Sequence, residues 1–257
     1  MSYKIENIRM KISIITAVYN NKANIGGCMG SVASQTFSDK EHIIVDGAST
    51  DGTLSIIKEA RNFNGRWVSE RDNGIYDALN KGISMATGDI IGILHSDDLF
   101  YSDKILEKIA DIFVRTGCDA VYGDLLYVDR EDVSKVVRYW KSSSFDVKNF
   151  RHGWMPAHPT LFLKREVYEQ FGKFDLQFTI SSDYDFMLRT VGSGKLRCEY
   201  MPEVVTRMRL GGASNKSLKN IWQKSMDDFH ALRKNNMGGW YTLFMMNVTK
   251  VGQFFRK

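Results

Sequence analysis

Cysteine is scarce, with three copies in 257 residues. Cys28, Cys118 and Cys198 are widely spaced and form no CxxC pair. That argues against a disulfide framework or a zinc site and fits a reducing cytoplasm. Proline is equally scarce: Pro156, Pro159 and Pro202 are its three copies, so none falls in the first half of the chain. No apolar run approaches the roughly 20 residues of a membrane-spanning helix. The opening "MSYKIENIRMKISIITAVYN" is charged throughout and lacks a long apolar core, so it does not read as a signal peptide. The sequence contains no internal repeat and no low-complexity segment.

What is present suits one large α/β domain, or one domain with a C-terminal appendage. The chain is 43% hydrophobic and 25% charged, ordinary for a globular protein with a full core. Apolar runs rich in β-branched residues alternate with helical patterns from Lys11 to about Ile112. "KISIITAVYN", "EHIIVD", "RWVSE" and "IIGIL" read as strands. Asn24–Gln35 carries Ile25, Met29 and Val32 at helical spacing, and "DGTLSIIKEA" opens a helix with Asp51 as its N-cap. "GIYDALNKGISMATGD" places Ile75, Leu79, Ile83 and Ala86 on one helical face. Such alternation predicts right-handed βαβ crossovers, a mostly parallel, Rossmann-like sheet and helices on both faces. "CDAVYGDLLYVD" and "KVVRYW" add a small antiparallel element, "AHPTLFLKREVYEQFGKFD" a strand running into a short helix, and "SSDYDFMLRTVGSG" a capped helix.

Ligands of open parallel sheets bind beyond the carboxyl ends of the strands. Those ends are Thr16–Asn20, Asp46–Ser49, Glu70–Asn73 and His95–Asp98, and each is polar. Tyr19 offers a ring that can stack on a base, with a core tyrosine as the alternative. Asp46 can accept from a nucleobase N–H. The "GASTDGT" that follows Asp46 is neither a Walker motif nor GxGxxG, and it reads equally as a turn and helix cap. Asp97 and Asp98 are adjacent carboxylates, so their repulsion needs compensation. In an extended segment neighbours point to opposite faces. One is expected to meet a sugar hydroxyl and the other a divalent cation, unless the pair merely begins a helix. Asp183 and Asp185 lie at a helix start, about 200° apart by helical geometry, so either one caps while the other faces the cleft, or both are first-turn acids favoured by the helix dipole. A carboxylate there stays ionised and suits a general base. His95 and His158 read either as site residues or as packed histidines. Arg207, Arg209 and the "RLGGASN" loop are candidates to close over a diphosphate, or an ordinary mobile loop.

"SIITAVYN", "IIVDGASTDGT", "DNGIYDALNKGISMATGDIIGILHSDD" and "SSDYDFMLR", in this order, resemble the family 2 glycosyltransferases from about Lys11 to Ser214. The resemblance implies a GT-A fold, a nucleotide-sugar donor, a divalent cation (manganese or magnesium) and inversion at the anomeric carbon. It assigns nucleotide contacts to Ala17, Tyr19, Asp46, Asp72, Ser96 and Asp97. "SDD" stands as the DxD-type motif with Asp98 on the metal, and Asp183 as the catalytic base. Ser182 stands where that last motif more often has an acid. No QxxRW is present, so addition of a single sugar is expected rather than processive polymerisation. A UDP-sugar is the favoured donor. The expected acceptor is a glycan or a polyprenyl-diphosphate-linked sugar of bacterial surface polysaccharide assembly. Alternatives from other classes are a sugar nucleotidyltransferase and a non-catalytic nucleotide-sugar-binding module.

The expected domains are an extension (1–10), the glycosyltransferase domain (11–214) and a basic amphipathic tail (215–257). From Arg207 onward ten Lys/Arg face two acids, so the tail is basic while the remaining chain is mildly acidic. Trp240, Leu243, Phe244, Val248, Val251 and Phe255 are expected on one helical face. A basic tail suits an anionic partner, a nucleic acid or a membrane surface, whereas a solvated or docked helix needs neither. The resemblance favours the membrane over nucleic acid. It implies a cytoplasmic enzyme peripheral at the inner face of the cytoplasmic membrane.

Overall fold

The computed structural model describes residues 10–60, 63, 65–211 and 218–252. The strand and helix alternation is present: β1 (Ile12–Val18), α1 (Ile25–Ala33), β2 (Lys40–Asp46), α2 (Thr53–Glu59), β3 (Gly65–Ser69), α3 (Ile75–Met85) and β4 (Ile90–Ile93). There follow β5 (Leu99–Phe100), α4 (Ile105–Thr116), β6 (Ala120–Val128), β7 (Val136–Trp140), β8 (Phe162–Lys164), α5 (Arg165–Phe171), α6 (Ser182–Arg189), β9 (Cys198–Arg209), α7 (Leu218–Lys234) and α8 (Trp240–Gly252).

One sheet joins the strands in the order β3-β2-β1-β4-β8-β6-β9-β5. β3, β2, β1 and β4 run parallel, and β8 adds on antiparallel. β6 and β7 form the expected antiparallel pair, and β6 also runs parallel to β9. The side-chain period of two divides the core. Ile15, Ile43, Val45, Ile91 and Ile93 pack with Leu79 and Ile83 of α3 and Phe186 and Met187 of α6. Ile12, Ile14, Ile90 and Leu94 pack on the other face with Cys28 of α1 and Phe113 of α4. Apolar runs on both faces are what strands covered on both sides require.

Four local expectations need correction. Ile75 is 45% exposed, and Ala78 and Gly82 take its place on the buried face of α3. The first turn of that helix packs through Tyr76 and Ala78, and Ile75 points away from the core. Gly52 is the N-cap of α2, with Asp51 one residue earlier. Asp51 still accepts from the Thr53 N–H at 2.9 Å. The segment holding Asp97 and Asp98 is a turn, closed by Asp98 N–H on the His95 carbonyl at 3.0 Å. The short β5 follows it, pairing with β9 instead of opening a helix. Finally, Leu243 is buried together with Met246, so α8 is docked on the domain. Trp240, Tyr241, Phe244 and Val248 form its exposed face, with Trp240 stacked on Phe229 at 4.3 Å. Residues 1–9, most of the expected extension, lie outside the described residues, as do residues 212–217, Phe255 and the side chain of Val251.

Glu41 ties the amino ends of the sheet together. It accepts from Ser13 Oγ (2.6 Å), Thr87 N–H (2.7 Å) and Thr87 Oγ1 (2.9 Å), and it faces Lys11 and Arg66. Burial opposes its ionisation, but these donors outweigh burial and hold the carboxyl at about 2. Glu41→Gln is therefore expected to cost about 1–3 kcal/mol in urea unfolding at neutral pH. A depressed carboxyl stabilises above the ordinary carboxylate range and loses that contribution as pH falls towards its folded value. The gap between variant and wild type should close as pH drops to about 2. A gap that persists at that pH would mean that shape, and not charge, is what Glu41 supplies.

Candidate active site

The carboxyl ends of β1, β2 and β4 are locked together by side chains that cap backbone donors. Asn20 N–H donates to Ser49 Oγ, and Thr50 N–H to Asn20 Oδ1, both at 2.8 Å. Asn21 N–H donates to Thr53 Oγ1 (2.9 Å) and Lys22 N–H to Asp51 Oδ2 (3.0 Å). Asn21 Nδ2 then reaches across to Ser96 Oγ at 2.8 Å. Ser49, Asp51 and Thr53 thus act in the turn and capping roles. Ser96 is buried and serves the β1–β4 junction.

Beside this lock, Tyr19, Gly47 and Asp72 converge. A Cβ added to Gly47 would lie 2.5 Å from Asp72 Oδ2 and 3.3 Å from the Tyr19 ring. Tyr19 is 64% exposed, so its face is available for stacking. Asp72 is half-buried, with Oδ1 accepting from Gly74 N–H at 2.9 Å. Asp46 is fully buried, and its Oδ2 accepts from the Ser69 hydroxyl (2.6 Å) and Ser49 N–H (3.1 Å). Asp46 therefore fixes the loop, and Asp72 is the carboxylate presented at the rim. Ala17 packs its methyl into the core. Gly47 directly follows a strand-end acid, and that position is its signal in the sequence.

The turn after β4 sends its two carboxylates apart. Asp97 is half-exposed, whereas Asp98 is 1% exposed. Asp98 Oδ1 accepts from Arg209 N–H at 3.2 Å. Its Oδ2 is buried and has no hydrogen-bond partner among the described residues. Burial, then the charge of Asp97, push the Asp98 carboxyl well above the ordinary range. Arg209 Nη1 holds the Asp97 carbonyl (2.6 Å) and its Nε the Arg130 carbonyl (3.0 Å), so this guanidinium braces the turn. Arg207 lies 4.7 Å over the Tyr101 ring. Residues 212–217 of the glycine loop lie outside the described residues.

A cation fits the Asp98 pocket. An anionic oxygen buried without a donor calls for one, and one or two carboxylates are what magnesium or manganese takes when phosphates supply further oxygens. Among the described residues no group of three or more His, Cys, Asp or Glu side chains could hold a metal by itself.

Asp183 stands opposite, half-buried in the first turn of α6. Its Oδ1 accepts from the Tyr76 hydroxyl at 2.9 Å and from Tyr184 N–H at 2.9 Å. The second acid of this turn, Asp185, is fully buried against Arg189 (3.0 Å), Asn235 (2.9 Å) and Lys234 (3.4 Å). Asp185 fastens α6 to α7, which leaves Asp183 as the acid of the cleft. Ser182 is buried and donates to the Asp175 carbonyl at 2.7 Å, a bond that an acid in its place could not make when ionised. The His95 and His158 rings are 6.5 Å apart. Burial holds both imidazoles below their ordinary range, His158 at about 4, and Asp183 acts electrostatically on each. Asp97 acts on His95 as well, so this ring lies between the two acidic sites.

Residues 13–172 match the family described as Glycosyl transferase family 2. A PGL/p-HBAD biosynthesis glycosyltransferase of Mycobacterium tuberculosis is 32% identical over 208 residues, covering 79% of this chain and 78% of that protein. An uncharacterized glycosyltransferase of Nostoc is 28% identical over 217 residues, covering 80% and 66%. Among solved structures, S. aureus TarS 1-349 in complex with UDP-GlcNAc superposes with TM-score 0.70 at 18% identity, covering 88% of this chain and 65% of that one. A mannosyltransferase of Pyrobaculum calidifontis in complex with GDP-Man and Mn2+ gives TM-score 0.65 at 19% identity, covering 92% and 69%. This chain spans 39% of the longer TarS chain. These likenesses identify the α/β architecture as a GT-A fold. The four ordered motifs, the strand-end cleft and the match over residues 13–172 lead to one conclusion: the chain belongs to glycosyl transferase family 2.

Proposed function

We propose that this glycosyltransferase is inverting and metal-dependent, and adds a single sugar from a UDP-sugar to a glycan or polyprenyl-diphosphate-linked acceptor. The observation that carries the reading is the pair of acidic sites around His95. One is a buried carboxylate oxygen of Asp98 without a donor among the described residues; the other is the half-buried Asp183. Tyr19 stacks on the base, and Ala17, Asp72, Ser96 and Asp97 hold the nucleoside in the cleft that Asp46 and Gly47 shape. Asp98, with Asp97 beside it, would hold manganese or magnesium, which supplies positive charge to the departing diphosphate. Asp183 takes the proton of the acceptor hydroxyl as that oxygen attacks the anomeric carbon. The C1–O bond to the diphosphate breaks on the opposite face, so the configuration inverts.

The nucleotidyltransferase reading wants a free, basic glycine-rich loop after the first strand. Here that loop is tied to the β2–α2 loop by side-chain bonds, which favours sugar transfer. No described helix is long and apolar enough to cross a membrane. The aromatic face of α8 and the basic tail support peripheral attachment to an anionic inner membrane surface, where a lipid-linked acceptor would be met.

A thermal-shift screen of UDP-, GDP- and dTDP-sugars with and without manganese tests the reading. A UDP-sugar with manganese at about 100 times its Kd should stabilise the fold by about 2.7 kcal/mol, and without manganese by far less. Stabilisation indifferent to manganese would overturn the metal assignment, and preference for another nucleotide would overturn the uridine one.

A further inference from the structure

We propose that Tyr76 is the positioning residue of the base, a hydroxyl that serves Asp183 while it is charged and releases it once it is neutral. The proposal rests on the reading of Asp183 as the base. Tyr76 enters from the first turn of α3, and its hydroxyl lies 2.9 Å from Asp183 Oδ1 and 2.5 Å from the Ile180 carbonyl. A phenol has one proton, so two acceptors compete for it. The ionised carboxylate wins, because a hydrogen bond to a charged group is the stronger. When Asp183 has taken the acceptor's proton, that advantage is gone. Rotation about the phenol C–O bond then turns the proton to the Ile180 carbonyl. No covalent bond of Tyr76 breaks, and the transferred proton stays on Asp183.

The surroundings hold both acceptors still. Ile180 N–H donates to Asp227 Oδ2 of α7 at 3.0 Å, and the Tyr76 ring packs on Phe174 at 5.5 Å. The titratable groups acting here are Tyr76 from α3, His95 after β4, His158 before β8 and Asp228 from α7. Both imidazoles stay neutral through burial. Burial, then the charge of Asp183, raise the phenol well above its ordinary range, so Tyr76 donates a hydrogen bond and does not give up its proton.

A carboxyl-carbon NMR titration of the full chain tests this, with the Asp183 signal assigned by its loss in Asp183→Asn. In Tyr76→Phe, which keeps the ring, that signal should titrate at higher pH than in the wild-type chain, because a donor to the charged form is gone. An unmoved midpoint overturns the proposal, since mere packing would leave it in place. If Tyr76→Phe does not fold, 3-fluorotyrosine at position 76 replaces it. This more acidic phenol should move the midpoint down, and no movement again overturns the proposal. Wild-type transfer by Asp183→Asn would instead sink the base assignment and leave the hydrogen bond standing.

Discussion

Asp183→Asn is expected to lower kcat for sugar transfer by about 10²–10⁴-fold, the usual range for loss of a general base. Donor affinity should stay within about twofold of wild type, because in the proposed reaction Asp183 serves the acceptor, and its hydrogen bonds among the described residues go to Tyr76 and Tyr184. Asparagine has nearly the shape of aspartate and can still accept from Tyr76 and Tyr184 N–H, so the first turn of α6 should persist. What it cannot do is take a proton. Initial-rate kinetics with the UDP-sugar chosen by thermal shift, together with calorimetric titration of that donor, separate the two effects. Inactivity with intact binding eliminates the non-catalytic module. Transfer at the wild-type rate would mean that some other group is the base.

Asp98→Asn should move stability and activity in opposite directions. The ligand-free fold carries a buried carboxylate with one oxygen unpartnered among the described residues and Asp97 beside it. Removing the charge relieves a penalty of about 1–3 kcal/mol. For a domain of this size each kcal/mol corresponds to about 2–4 °C in Tm, so the variant should melt several degrees higher. Its manganese-dependent stabilisation by donor should vanish, and transfer should fall by at least about 10²-fold as stabilisation of the leaving diphosphate is lost. A site kept at the expense of stability is a frequent property of enzymes. If Asp98→Asn melts lower without ligand, the carboxylate has a partner in the folded chain and its role is structural.

Much of this site was legible before the fold was known, for a simple reason. Buried parallel strands are written as short apolar runs, and the polar residues where each run stops are the ones a ligand can meet. Tyr19, Asp72, Asp97, Asp98 and Asp183 were found that way or through the ordered motifs. Asp46 was also found, but its inward turn onto Ser49 and Ser69 depends on β3 lying beside β2. Tyr76 was not singled out. It lies outside the apolar face of Ile75, Leu79, Ile83 and Ala86, and its partner lies 107 residues further along the chain. Leu243 was grouped on one face with Trp240, Phe244 and Val248, because helical periodicity sorts residues by angle and does not say which angle another element covers.

Local sequence, through apolar period, glycine and capping residues, determined the β1-to-β4 alternation, the β6–β7 pair and the acids at the strand ends. Tertiary structure decided what those acids do. It brought Arg209 of β9 to the Asp98 turn, Tyr76 of α3 to Asp183, and Lys234 and Asn235 to Asp185. A carboxylate becomes a cap, an ion pair or a partnerless charge according to which donors reach it. Those donors come from segments distant in the chain, and only their packing makes them neighbours.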